Sequence, residues 1–88
     1  MKKIKVKIFD KNGIFLEQDT DIITLKTQVG YRGIMHGATP LIANLVPSIL
    51  YLGSKNNNQI RYEIQEGVVH SDKQEVQIFL SGIKVLDK

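Results

Sequence analysis

The chain has 88 residues, no cysteine and a formal net charge of +3 at pH 7. This length predicts one domain, residues 1–88, with a small hydrophobic core. The absence of cysteine excludes a disulfide framework and a thiolate metal site, and three surplus positive charges argue only weakly for nucleic-acid binding. No apolar run reaches the ~20 residues of a membrane-spanning helix, so we expect a cytoplasmic protein, peripheral to a larger assembly.

The first half of the chain shows the alternation typical of half-buried strands. From Ile4 to Ile8 every second residue is apolar, and lysines occupy the positions between them. Asn-Gly in the segment Asp10–Gly13 favours a hairpin turn, which leads into a short strand over Ile14–Glu17. A third strand is predicted for Ile22–Val29 because β-branched and polar residues alternate there.

The second half continues the same pattern. The apolar run "LIANLVPSILYL" is long enough for a helix, but Pro47 disfavours one, so two strands are predicted, Leu41–Val46 and Ile49–Leu52. The polar stretch "GSKNNNQ" predicts a hairpin, "DKQ" predicts another between "VVHS" and "EVQIFLS", and "GIKVLDK" predicts a short last strand. Many short strands and no amphipathic helix indicate an all-β antiparallel sandwich or small barrel.

The sequence shows no constellation typical of an active site or metal site. His36 and His70 are the two histidines, and no carboxylates lie near them with the spacing of metal ligands. The segment "HSD" contains the residue types of a catalytic triad, but neighbours along a strand point to opposite faces. We therefore predict a protein that is not an enzyme and has neither a metal nor a cofactor.

The glycine-rich stretch "GYRGIMHGATPLI" has a structural explanation. Neither of the common phosphate-binding glycine motifs is present, and no helix follows the glycines. Gly30, Gly33 and Gly37 are expected at corners that need a positive φ or a close backbone approach. Pro40 is expected to fix the entry into the next strand.

A second hypothesis concerns the basic residues. Lys3, Lys5 and Lys7, with Arg61, would suit a small OB-like nucleic-acid-binding module if bases stacked on nearby aromatic rings. The same lysines also suit the solvated face of a strand. Core packing is the default explanation for four aromatic residues within strand patterns: Phe9, Phe15, Tyr51 and Tyr62.

The stretch "GYRGIMHGATPLIANLVPSILYL" resembles the pattern G-x-x-G-I-x-x-G-H-x-P-L-x-x-x-L-x-P-G of the epsilon subunit of F-type ATP synthases. Eight positions match without a gap, and a later segment, "YEIQEGVVHSDKQEVQIFL", is similar to a second pattern of that family. The matching positions are Gly30, Gly33, Ile34, Gly37, Pro40, Leu41, Leu45 and Pro47, followed by Tyr62, Gly67, Val76 and Ile78.

The resemblance implies a flattened antiparallel β-sandwich of about ten short strands. It implies a non-catalytic subunit of the central stalk, in an F-type or F-type-like ATPase, that docks on the gamma subunit and couples rotation to a membrane ring or another assembly. It implies the alpha and beta subunits as indirect partners and the c-ring as a candidate partner. Nucleic acid is not expected as a partner. The helical hairpin that normally follows the sandwich is missing from these 88 residues, so nucleotide binding and regulation are not carried over.

The resemblance also implies two contact regions. The sequence departs from the family pattern at three places. Ala38 replaces a usual histidine, Ser48 replaces a usual glycine, and Tyr31 with Arg32 replaces a pair that is often acidic and then apolar. The residues implied to face gamma are Met35, His36, Ala38, Thr39 and Ala43, and those implied to face the ring are Gln28, Val29, Tyr31 and Arg32.

Overall fold

A computed structural model describes residues 2–56 and 58–86 of the chain. All regular structure in this part of the chain is β-strand, in ten segments. The strands are β1 Ile4–Asp10, β2 Gly13–Thr20, β3 Ile23–Thr27, β4 Gly30–Ile34, β5 Leu41–Leu45, β6 Ser48–Leu52, β7 Ile60–Ile64, β8 Gly67–Ser71, β9 Glu75–Leu80 and β10 Ile83–Val85.

The strands form one curled sheet whose order is β10-β7-β6-β3-β5-β8-β9-β1-β2, with β4 paired to β3 alone. The sheet folds over at the single pair Thr27–Leu45, which joins β3 to β5. A first layer therefore contains β4, β3, β6, β7 and β10, and a second contains β5, β8, β9, β1 and β2. This arrangement confirms the predicted all-β sandwich of about ten strands.

The core lies between the inner faces of the two layers. Alternate residues of β1 are buried, as the alternation of the N-terminal segment predicted. Tyr62 on β7 packs edge-on against Phe15 of β2, with ring centroids 5.9 Å apart, and so connects the layers at one rim. The buried apolar residues are Ile4, Val6, Ile8, Ile23, Leu25, Ile34, Leu45, Leu50, Leu52, Tyr62, Ile64, Val69, Val76, Ile78 and Leu80.

The structure corrects three expectations. The segment Gly30–Ile34, for which no separate strand was predicted, forms β4, and β3 ends at Thr27, before the predicted Val29. One pairing among the described strands, β1 with β9, is parallel. Of the four aromatic residues assigned to core packing, only Tyr62 is buried.

Two predicted elements reach residues that the structure does not describe. The polar tip "GSKNNNQ" includes Asn57, and the last predicted strand runs into Asp87 and Lys88; all three lie outside the described residues. The division at Pro47 is confirmed, because β5 ends at Leu45 and β6 begins at Ser48. Among the described residues, no helix is long and apolar enough to span a bilayer.

Candidate docking surfaces

The outer face of the second layer carries an exposed apolar patch. The registers align Val68 with Phe79, Phe79 with Phe9, and Phe9 with Ile14, so these four side chains form one row across β8, β9, β1 and β2. The Phe9 and Phe79 rings stack in parallel, with centroids 4.8 Å apart. Phe79 is 42 % exposed and Ile14 is 63 % exposed. We call Phe9, Ile14, Val68 and Phe79 the apolar patch.

The neighbouring rows on this face are polar and internally paired. Lys5 lies 3.7 Å from Glu17, and Lys7 lies 3.7 Å from Glu75. The Gln77 amide donates to the Glu75 carboxylate at 2.9 Å. These carboxylates offset the positive charge of the lysine stripe, so the stripe does not present the uncompensated charge that phosphate contacts need.

Arg61, the fourth basic residue of the nucleic-acid hypothesis, lies elsewhere in the fold. Arg61 is on β7 of the first layer, whereas Lys5 and Lys7 are on β1 of the second layer. Lys3 precedes β1 and is exposed. The fold therefore separates Arg61 from the three lysines and does not form one surface from all four basic residues of the nucleic-acid hypothesis.

The β3–β4 hairpin presents an apolar tip. Gln28 and Val29 form its turn, and Val29 is 85 % exposed. The Thr27 hydroxyl accepts from the Val29 N–H at 3.2 Å and donates to the Gly30 carbonyl at 3.1 Å, which fixes the turn. Gly30 has a φ of 120°, a conformation that other residues adopt at a cost. The tip is therefore an ordered projection.

Tyr31 and Arg32 follow the tip and lie on β4. The Tyr31 hydroxyl donates to the Ile49 carbonyl at 3.3 Å, and the Lys26 ammonium lies 5.7 Å from the centre of the Tyr31 ring. The Tyr51 ring is 6.2 Å from that of Tyr31. Arg32 is exposed. The four residues assigned to the ring-facing region therefore share one hairpin.

The residues assigned to the gamma-facing region differ in exposure. Met35 and Thr39 are exposed, and His36 is half-buried. Ala38 and Ala43 are partly buried and pack against the core. The structure thus brings Met35, His36 and Thr39 together on the segment between β4 and β5, where Ala38 packs against the core, while Ala43 lies within β5.

The glycines and Pro40 shape this segment in different ways. Gly37 has a φ of 87°, and its N–H donates to the Lys73 carbonyl at 2.8 Å. Gly33 lies within β4, and a Cβ there would be 3.0 Å from the terminal carbon of Ile22. Pro40 immediately precedes β5. Gly37 is thus a positive-φ turn position, and Gly33 is a position of close side-chain approach.

Two ionisable groups with shifted pKa values have structural explanations. The main-chain N–H groups of Gln74 and Glu75 both donate at 2.8 Å to one oxygen of Asp72, and they hold the pKa of Asp72 below its ordinary value. Burial raises the pKa of Tyr62. Asp72 stabilises the β8–β9 turn and Tyr62 belongs to the core, so neither shift indicates acid–base chemistry. Within residues 2–56 and 58–86, no three His, Asp or Glu side chains could together hold a metal ion.

Sequence reasoning missed the apolar patch and Ile42. The sequence pattern predicts Phe9 in the core and assigns no role to Phe79. Ile42 is 73 % exposed on β5 and lies one row from the patch, opposite His70. The alternation could have shown that Phe9 and Phe79 face outward, because they fall out of phase with the buried residues of their strands, but not that they meet.

The fold and these surfaces define a β-sandwich domain whose prominent features are contact surfaces. The family model described as "ATP synthase, Delta/Epsilon chain, beta-sandwich domain" matches residues 3–84, so the chain belongs to this family.

Similar proteins agree with this assignment. The chain is 35% identical over 83 residues to the ATP synthase epsilon chain of Mycoplasma mobile, covering 93% of this chain and 59% of that protein. It is 31% identical over 84 residues to the ATP synthase epsilon chain of Mycoplasmopsis synoviae, covering 94% of this chain and 61% of that protein. The chain therefore spans about three fifths of the length of these relatives.

A solved structure shows the same fold. A chain in the mitochondrial ATP synthase structure of Euglena gracilis, described as OSCP/F1/c-ring, superposes with a TM-score of 0.88 at 21% identity, covering 97% of this chain and 54% of that chain. A chain in the Tetrahymena thermophila mitochondrial ATP synthase structure, described as central stalk/c-ring, gives a TM-score of 0.77 at 19% identity, covering 93% of this chain and 66% of that chain.

Proposed function

We propose that the chain acts as a non-catalytic central-stalk, or epsilon, subunit of a rotary F-type or F-type-like ATPase. It docks on the gamma subunit and couples rotation between the catalytic head and a membrane ring or another assembly. Family membership and the names of the relatives support this role. In the cell the protein is cytoplasmic and is held at the plasma membrane through the complex, where alpha and beta subunits are indirect partners.

The apolar patch is the observation that carries the gamma-docking proposal. Its four side chains form a continuous row, and the stacked rings of Phe9 and Phe79 lie at the centre of that row. Clustered exposed apolar side chains with a polar surround are typical of protein–protein contact sites. Lys5, Lys7 and their carboxylate partners form that polar surround here. Gamma docks on this face, and its contact extends past Ile42 toward Met35 and Thr39.

A rotating shaft needs an interface that does not slip, and burial of the exposed apolar side chains of the patch against gamma meets this need. Aromatic side chains at the centre of an interface contribute a large share of the binding free energy. The projecting tip with Val29 lies at the end of the β3–β4 hairpin and makes the second contact, toward the ring or its substitute. A shallow groove between the hairpin tip and β5 is lined by Thr27, Gln28, Val29, Ile42, Ala43 and Asn44.

The test is the affinity of the chain for the gamma subunit of the same organism. Phe79→Glu places a charge in the apolar patch and is expected to weaken gamma binding at least tenfold, which corresponds to about 1.4 kcal/mol. Val85→Glu is the matched control, because Val85 is exposed to a similar extent, 45 % against 42 %, but lies on β10 of the other layer. The control is expected to change the affinity less than about twofold.

Binding is measured by biolayer interferometry, and thermal unfolding by circular dichroism shows whether each variant keeps its fold. Equal affinities of the two folded variants for gamma would contradict docking through the apolar patch.

A further inference from the structure

The net positive charge of the chain comes from one part of the sequence. Residues 22–62 contain four basic residues and no aspartate or glutamate. The rest of the chain holds the other eight basic residues and all nine acidic ones, so it carries a slight negative charge. The unbalanced segment covers β3 to β6 and the start of β7. Its basic residues are Lys26, Arg32, Lys55 and Arg61.

Strand β4 is an edge of the sheet, and main-chain groups point away from that edge. In an antiparallel strand, successive residues direct their N–H and C=O alternately to the two sides. The Lys26 carbonyl accepts from the Val46 N–H at 3.2 Å, on the side of β3 away from β4. The registers place Tyr31 opposite Lys26 and Gly33 opposite Thr24. Tyr31 and Gly33 therefore direct their main-chain N–H and C=O outward.

These outward main-chain groups are open to a partner. In the part of the chain that the structure describes, β4 pairs with no strand except β3, and no main-chain hydrogen bond satisfies the outward side of Tyr31 or Gly33. Tyr31 is 49 % exposed, and Arg32 and Gly33 are also exposed. Unpaired edges of this kind are templates for an added strand.

The other edge strands are protected against an added strand, and β4 is not protected in the same way. Strand β2 carries Glu17 and Asp19 and contains a bulge where its register shifts. Strand β10 has only three residues. Short length, charges and bulges are the usual devices that protect an edge. Strand β4 has five residues, pairs in one unbroken register, and carries one charged residue, Arg32.

We infer that β4 is a recognition edge to which an extended acidic segment of a protein partner adds as a further strand. Main-chain hydrogen bonds at Tyr31 and Gly33 supply affinity, as in other complexes formed by strand addition. Carboxylates of the added strand lie on the face of β4 that carries Arg32 and pair with it, and no acidic residue of β3 or β4 opposes them. This inference rests on the proposed function, which assigns the β3–β4 hairpin to the ring side. It adds the chemistry of the partner that contacts the hairpin there.

The first experiment uses two synthetic ten-residue peptides labelled with fluorescein. In the acidic peptide glutamate alternates with valine, and in the basic peptide lysine alternates with valine. Fluorescence anisotropy with the whole 88-residue chain measures both affinities. The acidic peptide is expected to bind at least tenfold tighter. A third peptide, the acidic one N-methylated at every residue, has no main-chain N–H donor on either edge and is expected to bind at least tenfold more weakly than its parent.

Two variants locate the site. Arg32→Glu is expected to reverse the preference between the acidic and basic peptides. Lys11→Glu makes the same change in charge on the exposed β1–β2 turn and is expected to leave both affinities within twofold. In a nuclear magnetic resonance titration, the amide signals of Tyr31 and Gly33 should shift and exchange more slowly with solvent when the acidic peptide is bound.

Several results would overturn the inference. No binding of the acidic peptide at about 1 mM would do so, since even weak strand addition is detectable there. Binding that survives N-methylation would show charge attraction without an added strand. Stronger Arg32-dependent binding to anionic phospholipid vesicles or to single-stranded RNA would assign the surface to another class of partner. Because these assays use the chain alone, a negative result leaves gamma docking untouched.

Discussion

Gly67 begins β8 at a place where the layer has no room for a side chain. It pairs with Leu45 of β5 on one side and with Leu80 of β9 on the other. A Cβ at this position would lie 2.1 Å from the Phe79 carbonyl oxygen and 3.0 Å from the Leu80 Cα. Because these are main-chain atoms, a rotamer change cannot relieve the overlap, and β9 must move by close to an ångström.

Gly67→Ala is therefore expected to destabilise the protein strongly. Inserting a methyl group into a packed site costs about 1–3 kcal/mol, and a main-chain obstacle places this case at the upper end, about 3 kcal/mol. For a domain of this size, that cost lowers the melting temperature by about 12–24 °C. Gly33→Ala is the control, because its Cβ would meet only the flexible end of Ile22, at 3.0 Å.

Thermal and urea unfolding of both variants, followed by circular dichroism, test this argument. The control is expected to lose less than about 1 kcal/mol. A Gly67→Ala protein that unfolds within a few degrees of the unmodified chain would refute the reasoning, and so would a control that loses as much.

Two further predictions concern β8 and the turn that follows it. The Ser71 hydroxyl is buried without a hydrogen-bond partner among the described residues. Ser71→Ala should therefore raise the free energy of unfolding, measured in urea, by about 1 kcal/mol. A loss of stability would show that the hydroxyl has an unrecognised partner. Asp72→Ala should destabilise the β8–β9 turn at neutral pH. The lowered pKa of Asp72 means that its contribution is present above the ordinary aspartate pKa and is lost as the pH falls through the folded-state pKa. The stability gap between the two proteins should therefore narrow below about pH 4, and a gap that stays constant down to pH 2 would contradict the assignment.

Local pattern predicted most of the strands because each one buries a single face. The alternation from Ile4 to Ile8 is sufficient to define β1, since a strand of this composition can bury only its isoleucine and valine side. Pro47 separates β5 from β6 because proline has no main-chain N–H group to donate. Such information is local, and tertiary contacts did not override it.

Strand β4 and the apolar patch could not be predicted in the same way. Glycines at both ends of "GYRG" are typical of corners, and only the pairing with β3 makes this segment a strand. The patch depends on the register between β1 and β9, which are far apart in sequence. Phe9 and Phe79 meet only because that register aligns them, and no local pattern contains this alignment.

The parallel pairing of β1 with β9 also has a consequence for how the protein folds during its synthesis. Strand β1 lies between β2 and β9, so its buried residues Ile4, Val6 and Ile8 complete their contacts only after β9 has left the ribosome. Contacts between strands so distant in sequence form slowly, because the two ends of the long intervening stretch of chain must first come together. Until then the hairpin of β1 and β2 exposes an apolar face and an unpaired edge, which makes the nascent chain a natural client for a chaperone.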